Sequence, residues 1–248
     1  MLLEVCANSY ASALAAQQGG AKRVELCDNL AEGGTTPSYA QIKLCIENLS
    51  IEIWPIIRPR GGDFLYNDIE FELIKEDIRL CKSLGCHGVV TGILKANGDI
   101  DKERIHILKT IADSMPVAFH RAFDMSNNLP KSLEDLIELG IVRVLSSGAK
   151  PTALAGANKL AQLVKQANKR IEIMPGAGIN TNNIKKLIET TAAPCYHASA
   201  KDIVRSKMMF KNQQAKMGDI EDEYAYELTS SVKVEQLVTK INKYTKHP

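Results

Sequence analysis

The sequence predicts a (β/α)8 barrel, and three observations carry that prediction. Eight short apolar, strand-like stretches alternate with eight helical ones along 248 residues, close to the ~250 typical of such a barrel. No Ser/Pro/Gly-rich linker or shift in composition divides them, so one domain over 1–248 is expected. Gly20, Gly85 and Gly140 each close a helix four residues before a strand valine (Val24, Val89, Val144), which reads as one αβ turn reused before strands two, four and six. The competing doubly wound sheet would carry a glycine fingerprint after its first strand, where this chain has Cys6-Ala7-Asn8-Ser9.

The elements follow in order. Residues 3–6 (LEVC) and 24–27 (VELC) are near-copies of one strand, separated by a helix that Asn8 or Ser9 caps and that runs to about Gln18. Side chains alternate across a strand, so Glu4 and Cys6 share one face, as do Glu25 and Cys27, and a βαβ unit brings the two faces together. Thr36-Pro37 offers a cap and a first-turn proline for a helix over 38–47. Residues 51–59 are the third strand, with Pro55 as an objection. Asn67 and Glu70 form a capping box for a helix whose Phe71, Ile74, Ile78 and Cys81 make one apolar stripe. Strands at 88–92, 116–122, 143–147, 171–174 and 195–200 alternate with helices beginning at Asp101, Pro130, about Thr152 and about Asn182. A last amphipathic helix covers 232–242. The polar stretch 201–231 breaks the rhythm and is expected to be a lid or an oligomer arm over the barrel mouth.

A net charge of +2 gives no electrostatic case for nucleic acid or an anionic membrane. No apolar run reaches membrane-spanning length, and the N-terminus lacks the basic and apolar regions of a signal peptide. The six cysteines are therefore expected as reduced thiols in the cytoplasm.

Barrel sites sit at the C-terminal strand ends, so the polar residues there are the candidates. Glu4 and Glu25 project deep into the mouth, and Arg58 on the adjoining strand is their expected partner. Two readings stand: a structural Glu–Arg–Glu network on the barrel floor, or a general base with Arg58 clamping an anion. His120 and His197 are acid/base or ligand candidates on strands five and eight. Arg60, Ser147 and Ser199 add anion-binding groups, and Gly176 and Gly178 after strand seven occupy the usual barrel phosphate position. Cys6 and Cys27 could hold a soft ion such as Cu(I), or could be small buried hydrophobes. Cys81 and Cys86 are expected to diverge. Met208, Met209 and Met217 are either thioether ligands or loose apolar cover. No organic cofactor is expected.

At these residues the chain resembles the copper homeostasis protein CutC family. The matching stretches include residues 3–6, 24–27, 32–38 (EGGTTPS), 57–64 (IRPRGGDF), 119–124 (FHRAFD), 174–176 (MPG) and 197–200 (HASA), in order from strand one to strand eight. Ala177 and Lys201 depart from the pattern, where a glycine and an arginine are expected. The resemblance implies a cytosolic TIM-like barrel that self-associates as a homodimer or higher homo-oligomer, with copper binding at Cys6 and Cys27. The longer matching motifs around Arg58, His120 and His197 look instead like an enzyme site for a small anionic or phosphorylated molecule. An oligomeric barrel whose 201–231 arm binds a partner is the third reading.

Overall fold

The computed structural model describes residues 1–212, 214–217 and 222–245. Eight parallel strands form the inner staves: β1 (Leu2–Ala7), β2 (Arg23–Leu26), β3 (Glu52–Pro55), β4 (Val89–Thr91), β5 (Val117–Phe119), β6 (Arg143–Ser146), β7 (Glu172–Pro175) and β8 (Cys195–Ala198). Between and after them come α1 (Tyr10–Gln18), α2 (Tyr39–Asn48), α3 (Asp68–Ser83), α4 (Lys102–Ala112), α5 (Leu129–Glu138), α6 (Ala157–Ala167), α7 (Ile184–Thr191) and α8 (Ser231–Thr245). This is the (β/α)8 barrel that the alternation predicts.

The staves hydrogen-bond as two four-stranded ladders, β8-β1-β2-β3 and β4-β5-β6-β7. At the β3–β4 seam there is an isolated Ile56–Val90 bridge, with Ile57 N–H donating to Val90 O at 2.7 Å. At the β7–β8 seam, Met174 and Cys195 pack together with Leu145 inside the barrel. Strand alternation divides the core. Leu3, Val5, Val24, Leu26, Ile53, Val144 and Ile173 pack outward under the helices. Cys6, Cys27, Trp54, Ile56, Val90 and Ala118 form a smaller inner cluster. Gly88 has no side chain because a Cβ there would stand 2.5 Å from the Trp54 ring.

The caps are largely as expected. Ser9 accepts from Ser12 N–H, Asn67 and Glu70 complete the capping box, and Gly20, Gly85 and Gly140 have φ of +84°, +75° and +69°. Ser38 caps α2, accepting from Gln41 N–H, so Thr36-Pro37 is not the cap. β3 ends at Pro55, which has no N–H to extend its ladder. α6 starts at Ala157 rather than near Thr152. Gly156 lies so close to Ser147 O (1.9 Å from a Cβ position) that the chain turns there before the helix begins.

Within 201–231, where residues 213 and 218–221 lie outside the described residues, the chain forms an antiparallel hairpin of β9 (Lys201–Arg205) and β10 (Ala225–Thr229). The base of the hairpin is tied to the start of α1. Asn8 Nδ2 donates to Glu227 O, and Thr229 N–H donates to Ser12 Oγ. Ile203, Met208, Met209, Phe210 and Met217 of this arm are exposed.

Candidate metal and anion site at the barrel mouth

The site rests on a charged floor. Glu4 is fully buried; its Oε2 accepts from Arg23 Nε at 2.5 Å and lies 3.2 Å from Arg143 Nη2. Arg143 also lies over the Trp54 ring, with its guanidinium carbon 4.2 Å from the centroid. Arg23 and Arg143 reach Glu52 and Glu172, at 3.8 and 3.7 Å. Burial alone would raise the Glu4 pKa, but Arg143, then His197 and Arg23, bring it down to about 2. The expected partner, Arg58, is not part of this network. An Arg23–Glu4–Arg143 triad closes the floor in place of the Glu–Arg–Glu network that one of the two readings put there.

Above the floor, β1, β2 and β8 bring Cys6, Glu25 and His197 together. A ligand atom from each lies within 4.8 Å of the others. Cys6 Sγ stands 3.5 Å from Cys27 Sγ, and the Cys27 thiol points to Ala7 O. Glu4 Oε1 is 2.9 Å from His197 Nδ1, so the inner nitrogen is held by a carboxylate and Nε2 faces Glu25 at 3.7 Å. That carboxylate–imidazole pairing is the usual outer support of a metal-binding histidine. Burial opposes a charged His197, but the Cys6 thiol, the Glu25 charge and the hydrogen bond to Glu4 raise its pKa well above the ordinary value. Burial raises Glu25, and its Oε1 is buried with no hydrogen-bond partner. The Cys6 thiol is pushed well up by its bond to Cys27 and by burial. Two thiols, an imidazole and a carboxylate with an unpaired oxygen fit a soft cation better than they fit one another.

The side of the mouth from the end of β3 to the end of β5 carries Arg58 and His120. Arg58 Nη1 donates to Glu32 O and Gly34 O, at 2.7 and 2.9 Å, and Nη2 donates to Gly62 O at 2.8 Å. Its guanidinium lies 4.9 Å from the Phe64 centroid, and Phe64 in turn packs 5.0 Å from the His120 ring. His120 Nδ1 accepts from Ala122 N–H at 3.1 Å. Burial and the nearby Arg58 charge depress His120 to about 3, so its ring is neutral. Both walls border a cavity of about 510 Å³, whose rim includes Arg121, Gly178, Ser199 and Lys201.

Other expected residues fall elsewhere. Arg60 is held by Glu70, Asp63 and the Leu65 carbonyl outside the cavity, so it is no anion clamp in this arrangement. Ser147 is taken up by Asp124, Arg121 and Lys150 O, away from the cavity lining. Gly176 N–H donates to Ser146 O, and a Cβ there would meet Leu145 at 2.4 Å. Gly176 therefore allows close packing and has no free donor for a phosphate. Cys81 and Cys86 are free, buried thiols close enough that Cys86, together with burial, raises the Cys81 thiol, so they do not diverge as expected. His87 accepts from Ile53 N–H at Nδ1, and among the described residues no set of three ligands gathers there. Met208, Met209 and Met217 are exposed. Sequence reasoning missed Arg23 and Arg143 as partners of Glu4. The one available signal was their inward register at a strand start, two residues before Glu25 and Leu145. Phe64, which links Arg58 to His120, had no such signal.

The sequence profile described as the CutC family matches residues 1–202. A CutC family protein of Chromobacterium violaceum is 47% identical over 243 residues, covering 98% of each chain. The human copper homeostasis protein cutC homolog is 44% identical over 238 residues, 95% of this chain and 87% of the human one. A crystal structure of CutC from Streptococcus agalactiae superposes with a TM-score of 0.77 at 37% identity, covering 80% of this chain and 98% of the other. Phosphoribosylanthranilate isomerase from Thermotoga maritima shares the fold alone, at 11% identity and a TM-score of 0.58.

Proposed function

The chain belongs to the CutC family, and we propose that it serves copper homeostasis by holding Cu(I) at the β1–β2–β8 wall of the barrel mouth. The observation that carries this reading is the convergence of Cys6, Glu25 and His197 within 4.8 Å, with Cys27 Sγ 3.5 Å behind Cys6. Cu(I) favours two or three soft ligands. Cys6 and Cys27 would supply thiolates, and His197 Nε2 a third donor. Glu4 would hold the other ring nitrogen, fixing the tautomer and orientation. Glu25 would balance charge beside the ion. All six cysteines are unpaired and buried, which suits a reducing compartment such as the cytoplasm. The exposed apolar arm after β8 offers surface for self-association.

Cu(I) uptake by the reduced chain, measured by competition with a coloured Cu(I) chelator, tests this. One tightly held ion per chain is expected, and Cys6→Ser with Cys27→Ser should abolish it. Glu4→Gln should weaken uptake by roughly 10–100-fold, as losing the group that orients a ligand does. Unchanged uptake in the double serine variant would overturn the reading.

A further inference from the structure

We propose that the side of the mouth running from the end of β3 to the end of β5 is a binding site for the oxyanion, carboxylate or phosphate, of a small metabolite, held by Arg58 Nε–H and His120 Nε2–H under Phe64. Both atoms are buried donors with no hydrogen-bond partner, and both residues line the mouth cavity.

Their chemistry is set by their other contacts. Arg58 is 4% exposed, and its two terminal nitrogens are taken by three backbone carbonyls. Among the described residues no carboxylate forms an ion pair with it. A buried guanidinium with no counter-charge is costly, and an anion supplied from outside removes that cost. His120 is 3% exposed. Because Nδ1 accepts the Ala122 N–H, the ring proton sits on Nε2. His120 is thus a fixed neutral donor, one that stabilises an oxygen without giving up a proton. The backbone was shaped to admit the ring: at Gly92 a Cβ would stand 2.6 Å from His120 Cε1.

Phe64 covers both donors, packing 4.9 Å from the Arg58 guanidinium and 5.0 Å from the His120 ring. It follows the Gly61-Gly62 turn, where Gly62 has a φ of +80°. A ligand reaches the donors when Phe64 swings away on that turn. A cavity of about 510 Å³ holds a small metabolite.

Calorimetric titration of the copper-free full chain with inorganic phosphate and with malonate, at ionic strength held constant with chloride, tests the site. Saturable binding of at least one is expected. Phosphate alone would mark a phosphomonoester ligand, and malonate alone a carboxylate ligand. His120→Asn keeps an acceptor near Nδ1 but removes the Nε2 donor, and should weaken binding at least 10-fold. His120→Gln places an amide N–H near Nε2 and should restore most of it. Phe64→Ala uncovers the donors and should bind at least as tightly as the parent. Arg58→Gln should abolish binding. If that variant fails to fold, the His120 pair and Phe64→Ala decide alone. Absence of saturable binding by both anions in the parent and in Phe64→Ala, or equal binding by His120→Asn and the parent, would overturn the proposal.

Discussion

Glu4→Gln is the most informative single change, because it removes the negative charge on which the floor converges. In the folded chain Glu4 titrates near 2 against an ordinary 4.5. At 1.36 kcal/mol per tenfold change in acidity, ionisation of Glu4 contributes on the order of 3 kcal/mol. Leaving Arg23 and Arg143 buried without their shared carboxylate gives a similar figure, about 3–5 kcal/mol. A loss of about 3 kcal/mol is therefore expected at pH 7. With a urea m-value near ~3 kcal/mol/M, that lowers the midpoint by about 1 M. The sign of the pH dependence follows from the lowered pKa. The contribution is fully present above about pH 4.5 and is lost as pH falls through 2, so the gap between parent and variant should narrow below about pH 4. Urea unfolding of both chains from pH 7 to pH 3, followed by circular dichroism, measures it. A variant within about 1 kcal/mol of the parent at pH 7, or a gap that stays constant down to pH 3, would refute the reasoning.

Other expectations follow from the same walls. His120 is buried and neutral, with a folded pKa of about 3 against 6.5. Its contribution is complete above about pH 6.5 and falls as pH drops towards 3, by on the order of 5 kcal/mol in all. His120→Gln should flatten that acid limb in urea midpoints measured between pH 7.5 and 4. Gly92→Ala sets a methyl 2.6–2.7 Å from the His120 ring and should cost about 1–3 kcal/mol, with a shifted His120 resonance in nitrogen-15 spectra. Asp124 accepts from Ser146 Oγ, Ser147 N–H, Ala149 N–H and Arg121 Nε. Asp124→Asn should lower stability by about 2–3 kcal/mol in thermal melts, because the amide turns a donor towards donors.

The barrel was legible because its signals are local. Two-residue alternation in LEVC and VELC told which side chains face inward, and helix-ending glycines placed the turns. Pairing inside the barrel was not legible, because it depends on which staves meet across the axis. Glu4 is joined to Arg143, far along the chain, by closure of the β8–β1 ladder and the taper of the floor. Arg58 does not reach Glu4 as expected, because the loops at 32–34 and 61–64 wrap carbonyls around it. The glycines after β7 matched a phosphate motif, but Gly176 exists for packing against Leu145 and His197. Local sequence does not separate a glycine that admits a neighbour from one that admits a ligand. The thiols were found because two neighbouring strands carry the same inward spacing, while His197 joined them only through the third stave.

The two ladders give the mouth a mechanical character of its own. Cys6, Cys27, Glu25 and His197 all ride on the β8-β1-β2-β3 plate, whose internal hydrogen bonds keep their spacing constant. His120 rides on the other plate, and Arg58 follows the seam where β3 meets β4 through an isolated bridge. A hinge movement of one plate against the other would change the width of the mouth and the Arg58–His120 separation while leaving the thiol and imidazole spacing as it is. Amide exchange within the barrel strands should therefore be faster along the two seams than inside either ladder.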